Sequence, residues 1–293
     1  MKSWLGDSTL FFGFFCFLAC QSDGANRKSL DPPGEIPGHH LIWSDEFDTD
    51  GKPDTTRWAY EHGFVRNDEL QWYQPENAIC EDGVLVIEGR REKLKNEEYD
   101  PASDDWRKQR EFAEYTSSSI NTKGTFFFQY GILEVKAKID TAKGMWPAIW
   151  TLGETKPWPS NGEIDVMEFY RVQSQPSILA NAAWGDHWNS TVWDDEQRSL
   201  DHFLKQDPNW PHKFHVWKME WTEEDIRLYL DDELLNEVDL TKTVNSDGFN
   251  PFHQPHYILL NLALGSNGGD PSETRFPRRY EVDYVRVYKR HAD

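Results

Sequence analysis

Positive charge is in short supply along this chain: 31 Lys and Arg stand against 51 Asp and Glu, for a net charge of −20. Binding of DNA or RNA depends on neutralising phosphates with basic side chains, so nucleic acid is excluded as a partner. The same repulsion works against a heavily sulfated polymer, which only a local basic cleft could overcome. Cysteine is scarce too, with three in the chain, at Cys16, Cys20 and Cys80. Neither a CxxC pair nor a His-rich spacing points to zinc. Beyond the N-terminus there is no long apolar run, no repeat at a fixed period and no low-complexity block.

The single apolar run, Leu10 to Ala19 (LFFGFFCFLA), follows the polar start Met1-Lys2. It has the length of a signal peptide and is too short to span a bilayer. It ends Phe17-Leu18-Ala19-Cys20, which resembles a bacterial lipobox with Phe17 in the place usually held by Leu, and the polar tether Gln21-Ser22-Asp23-Gly24 follows. Cys16 then leaves with the signal, Cys20 carries lipid, and Cys80 remains alone as a strand residue outside any chemistry. Pro32-Pro33-Gly34 and Pro37-Gly38 punctuate a polar linker. The expected organisation is a signal peptide over 1–19, a lipidated Cys20 and linker over 20–38, and one domain over 39–291. Such a protein is exported as an outer-membrane or cell-surface lipoprotein of a bacterium, the alternative being a secreted or periplasmic form. It works as a monomer and meets the membrane only through its N-terminal anchor.

What the chain has in excess is tryptophan: 14 residues, more than a core of this size needs. Most belong in a Trp-rich core, and the surplus suits stacking on flat faces such as sugar rings. Short alternating segments dominate. Tyr130 to Ile139 puts Leu133, Val135, Ala137 and Ile139 on one face and Glu134, Lys136 and Lys138 on the other. Val84 to Gly89, Phe214 to Trp221, Ile226 to Leu230, Glu233 to Val238, Tyr257 to Leu264 and Val282 to Tyr288 are further strands, with Asp231-Asp232 as a hairpin turn. Only residues 197–207 look helical. Many strands and almost no helix predict an all-β sandwich or jelly roll.

One strand stands apart: Asn161-Gly162-Glu163-Ile164-Asp165-Val166-Met167-Glu168-Phe169-Tyr170. Strict alternation puts Glu163, Asp165 and Met167 on one face and drives Glu168 into the core, where an unpaired carboxylate is costly. A β-bulge at Val166 or Met167 returns Glu168 to the face of the other two acids. Three adjacent carboxylates repel and raise one another's pKa, which is poor for stability. The arrangement does suit glycoside cleavage with retention, where two carboxyls about 5–5.5 Å apart act as nucleophile and proton donor. A third acid between them can hold the donor protonated and orient the nucleophile.

This ExDxxE strand with its inserted residue resembles the signature of glycoside hydrolase family 16, laminarinase-like branch. Gly144-Met145-Trp146-Pro147-Ala148-Ile149-Trp150-Thr151-Leu152-Gly153 resembles that family's strand beside the cleft. Leu41 to Phe47, Asn67 to Tyr73 with Pro75 to Ala78, and Val282 to Tyr288 resemble its first strand, cleft edge and closing strand. The resemblance spans residues 41 to 288 in order. It implies a concanavalin-like β-jelly roll, a sandwich of two curved antiparallel sheets with a concave substrate cleft. It casts Glu163 as nucleophile, Glu168 as acid/base and Asp165 as the supporting carboxylate. Trp146 lines a subsite, with Asn77, Glu69 and Trp184 as further substrate-binding residues and Trp150 in the core. No cofactor is required for catalysis, and a structural calcium at Glu46 and Asp283 is the one metal implied, its shell completed by carbonyls and water.

The implied activity is endo-acting, retaining hydrolysis of a β-linked polysaccharide, first a β-1,3- or mixed-linked β-glucan. The stretch Ile178 to Gly185, followed by Trp188 and Trp193, departs from the laminarinase pattern. Small Ala residues there make room for an axial substituent, which raises a β-galactan or poly-N-acetyllactosamine chain of mucin type as the alternative. A non-catalytic carbohydrate-binding sandwich is the alternative of another class; it needs the Trp rings but not the acid row.

Overall fold

The computed structural model describes Met1 and residues 34–291. The signal and lipidation site expected over 1–20 lie outside the described residues, apart from Met1. Two antiparallel sheets face each other. The first has eight strands in the order Glu233–Asp239, Asp225–Leu230, His215–Trp221, Gly131–Lys138, Arg278–Arg290, Val84–Gly89 and Ala78–Glu81, with His39–Asp45 also paired to Arg278–Arg290. The second has seven: Val192–Ser199, Gln175–Trp184, Glu163–Val172, Met145–Gly153, His256–Leu264, Ser119–Asn121 and Ala59–Tyr60.

The core lies where the alternation of each strand points it. Leu133 pairs with Met219 and Val135 with Trp217 in register, and all four are fully buried. Burying side chains of this size contributes about 1.5–3 kcal/mol each, which makes the paired apolar face the main source of sheet stability. The intervening Lys136 and Lys138 turn outward to pair with Asp283 and Glu281. Asp231, at φ 52°, turns the expected hairpin and accepts the Val216 N–H at 2.9 Å.

The helix expected over 197–207 is Leu200–Gln206; residues up to Ser199 belong to the edge strand Val192–Ser199. Ser199 caps the helix by accepting from the Asp201 N–H at 3.2 Å. Strand His256–Leu264 is buried along its whole length. One of its faces meets the core, and the other carries Asn261, which bonds Trp150 and Tyr73.

Entry into the acid strand, Glu163–Val172, is fixed by Gly162. Its φ of +77° and a would-be Cβ only 2.8 Å from Pro251 Cβ exclude any side chain there. Within the strand, Ile149 pairs with Met167 but the next residue, Trp150, pairs with Asp165, leaving Val166 as an extra residue. On the other side the register jumps from Asp165–Asn181 to Glu168–Leu179. This is the expected bulge. Ile164, Val166, Met167 and Phe169 all enter the core at 0% exposure, while Glu163, Asp165 and Glu168 share the opposite face.

Candidate active site

Cross-strand register sets the side chains of that face in rows. Ala148, Glu168, Leu179 and Gln197 lie side by side across four strands. Trp150, Asp165, Asn181 and Asp195 form the next row, and Leu152, Glu163, Ala183 and Trp193 the third. All of these except Ala183 line one cleft of about 1020 Å³. The segment Arg66 to Glu69 and Trp106 close it beyond Trp150, and Trp158 with Trp188 wall it beside Glu163. Trp158 and Trp188 lie 4.7 Å apart, and Trp188 is 70% exposed, a free aromatic face at the cleft mouth.

The two glutamates sit in unlike surroundings. Glu163 accepts from Trp158 Nε1 at 2.6 Å. Burial raises its pKa, while the Trp158 N–H, a hydrogen bond from Asp165 and the Arg66 charge favour its ionised form. Glu168 accepts from Trp146 Nε1 at 2.8 Å and from Asn181 Nδ2 at 3.2 Å. Burial and then the charge of Glu163 push Glu168 up to about 8, which these two bonds only partly oppose. Asp165, 1% exposed, is held well above the usual carboxylate range by burial and by the charges of Glu168 and Glu163. That direction favours its protonated form, and its hydrogen bond with Glu163 lowers the nucleophile's pKa. The cleft therefore holds two carboxyls raised by burial, Glu168 up to about 8 and Glu163 with three contacts that oppose the rise.

The remaining sequence-predicted residues divide. Trp146 lines the cleft beside Glu168 and meets Tyr170 edge-on at 5.5 Å. Glu69 lines it too, but its carboxylate is 2% exposed and accepts from Gln71 Nε2 at 2.6 Å and from Tyr73 and Asn67 at 3.3 Å. Asn77 does not reach the cleft: its amide donates to the Glu88 carbonyl at 2.7 Å and Thr116 Oγ1 at 3.0 Å, and its oxygen accepts from Gln74. It ties a turn to the first sheet and has no group left for sugar. Trp184 belongs to the core, edge-on to Phe252 at 6.2 Å, because it has the parity of Ala180 and Ala182 on the buried face of its strand. Those two alanines consequently make no room in the cleft, whereas Ala183, of the other parity, lies beside Glu163 in register. Trp150, expected in the core, lines the cleft instead, its N–H donated to Asn261 Oδ1 at 2.7 Å.

The calcium expectation does not fit its residues. Both Glu46 oxygens accept from Arg286, at 2.9 and 2.8 Å, and Asp283 pairs with Lys136 at 2.9 Å. A dication there would face two cations, and calcium wants six to eight oxygens. Among the described residues no group of three or more His, Cys, Asp and Glu is placed to hold a metal.

Composition and spacing gave no notice of Arg66 or Trp158. The Arg66 guanidinium pairs with Glu61 and lies 5.0 Å over the Trp150 ring. Asn181, Asp195 and Gln197 were reachable only by carrying the alternation outward from the acid strand, two strands beyond the motif.

A jelly roll with a Trp-lined cleft over paired carboxyls in unlike surroundings defines a glycoside hydrolase acting on O-glycosyl bonds. The chain belongs to glycosyl hydrolases family 16, whose model matches residues 71–286. It is 33% identical over 292 residues to a beta-glucanase of Rhodothermus marinus, covering 93% of each chain. A solved structure from work on endo-acting O-glycanases that initiate mucin breakdown in the human gut microbiota superposes with a TM-score of 0.79 at 35% identity, covering 88% of this chain and 94% of that one. SCLam, a non-specific endo-β-1,3(4)-glucanase, superposes with a TM-score of 0.71 at 33% identity over 89% of this chain and 95% of its own. The protein is thus an endo-acting β-glycanase with a polysaccharide substrate.

Proposed function

We propose that this enzyme cleaves internal β-linkages of a galactose-containing chain of poly-N-acetyllactosamine type, with retention, using Glu163 and Glu168. The observation that carries the substrate is the superposition on the mucin-degrading O-glycanase structure, 0.79 in TM-score against 0.71 for the glucanase at like coverage. A β-1,3- or mixed-linked glucan is the second reading, favoured by the beta-glucanase relative matched along 93% of its length.

In either case the steps are the same. Glu168 gives its proton to the glycosidic oxygen as Glu163 attacks the anomeric carbon, forming a glycosyl ester with inversion. Glu168, now ionised, takes a proton from water, which attacks the same carbon and frees Glu163. Two inversions give retention. Trp158 and Asp165 hold the nucleophile by hydrogen bonds, and Trp146 and Asn181 hold the acid.

The test is product analysis on poly-N-acetyllactosamine, keratan-type chains, laminarin and lichenan, with proton NMR of the first-formed products. Short oligosaccharides from the galactose-containing chains, appearing as the β-anomer, are expected. Release only from laminarin or lichenan moves the substrate to the second reading. An initial α-anomer overturns the double displacement.

The lipid anchor is part of the proposal, resting on the apolar run that ends Ala19-Cys20. Cys20→Ser is expected to move the enzyme from the membrane fraction to the soluble one. A soluble wild type whose mature N-terminus lies elsewhere would remove the anchor from the account.

A further inference from the structure

Three acceptor atoms on the outer half of the cleft have no protein donor among the described residues. Asn181 is 2% exposed and donates its Nδ2 to Glu168 and Asp165, yet its buried Oδ1 has no hydrogen-bond partner among the described residues. Its register neighbour on the edge strand is Asp195, whose two carboxylate oxygens meet no cation and no hydrogen-bond donor among the described residues. Both residues line the cleft. One row along lies Leu179, 4% exposed and apolar, paired in register with Glu168. Gln197 is register-paired with Leu179, and its amide nitrogen is anchored at 3.2 Å on Ser177 Oγ. Trp193, 44% exposed, stands on the other side of Asp195 along the same strand.

A buried acceptor without a partner costs free energy comparable to a lost hydrogen bond, so such an atom calls for a donor. The pattern here is one buried acceptor, an exposed carboxylate beside it, an apolar residue and an aromatic flank. A hydroxyl satisfies the acceptors but leaves Leu179 facing a polar edge. An acetamido group satisfies both: its N–H donates to Asn181 Oδ1 or Asp195, and its methyl covers Leu179, the next residue on the same face of the strand.

We infer that the edge strand Val192–Ser199 builds an outer subsite that selects an N-acetylhexosamine over the plain hexose, with Asp195 and Asn181 taking the amide proton, Leu179 the methyl and Trp193 the sugar face. This rests on the galactose-containing reading above and names the second sugar of its repeat. Asn181 also touches the acid/base, so Asp195, exposed and outside the acid network's hydrogen bonds, is the residue that isolates the effect.

The experiment uses Glu163→Gln enzyme, which binds without turnover, and two matched oligosaccharides: one of N-acetyllactosamine repeats and one with glucose in place of each N-acetylglucosamine. Titration calorimetry is expected to show the acetylated chain bound about 10-fold tighter, the scale of one hydrogen bond to a charged group. Adding Asp195→Ala is expected to bring that ratio close to 1. A ratio that Asp195→Ala leaves unchanged, or no preference in the Glu163→Gln parent, overturns the subsite. If wild type still cleaves poly-N-acetyllactosamine in that event, the substrate reading stands without it. If wild type cleaves only glucans, both fall.

Discussion

Glu163→Gln is expected to lower kcat by about a million-fold on any polymeric substrate, the scale of losing the residue that forms the covalent intermediate. The amide is isosteric and still accepts from Trp158 Nε1, so the fold and the cleft survive. Glu168→Gln loses the proton donor, and its cost depends on the leaving group. On a natural linkage the loss is of the same order. On an aryl glycoside with an acidic phenol the first step needs no proton, and a burst of phenol should remain while hydrolysis of the glycosyl–enzyme slows. The two alanine variants separate the roles further. Azide should rescue Glu163→Ala to an α-glycosyl azide, since attack is then a single inversion. It should rescue Glu168→Ala to a β-azide, since the ester still forms on Glu163. Equal loss in both variants on the aryl substrate, with no azide product from either, would take the role assignment away.

The acid strand was legible in the sequence because its error was visible there. Strict alternation put Glu168 in the core, a position chemistry forbids, and the bulge that repairs it appears as the register jump between Ile149 and Trp150. Where no such contradiction existed, parity failed. Trp184 and Asn181 lie three residues apart on one strand, and only the register with Glu163 and Asp165 tells that Asn181 faces the acids while Trp184 faces Phe252. Asn77 was placed at the cleft edge by resemblance, yet its polar atoms are all consumed by Glu88, Thr116 and Gln74. Trp158 and Arg66 come from connecting segments, whose path no periodicity describes. Strand residues with an internal contradiction could be read; loop residues and the first and second strands out are fixed only by the fold.

Asp165 carries the sharpest conflict between stability and chemistry, and Asp165→Asn is expected to expose it. The aspartate is buried between two glutamates, and its folded pKa lies well above the ordinary carboxylate value. For a carboxyl raised in this way, the stability it contributes is fully present below the unfolded pKa of about 3.9 and is lost as pH rises through the folded value. Asparagine keeps the geometry: its oxygen can accept from Asn181 Nδ2, and its N–H can donate to Glu163 as the aspartic proton does. It never ionises. The variant and wild type should therefore unfold at nearly the same temperature at pH 4, and the variant should gain on wild type as pH rises, by about 2–4 °C in Tm for each kcal/mol relieved. Activity should move the opposite way, falling by about 100-fold, the usual cost of one electrostatic partner of the reacting groups. The alkaline limb of kcat/KM belongs to Glu168, whose proton is lost at about pH 8, so it should stay in place in Asp165→Asn and disappear in Glu168→Gln. A gap in Tm that is the same at pH 4 and pH 9 would show that the row holds no trapped proton at Asp165. A limb that moves in Asp165→Asn would make Asp165, not Glu163, the charge that holds the proton on Glu168.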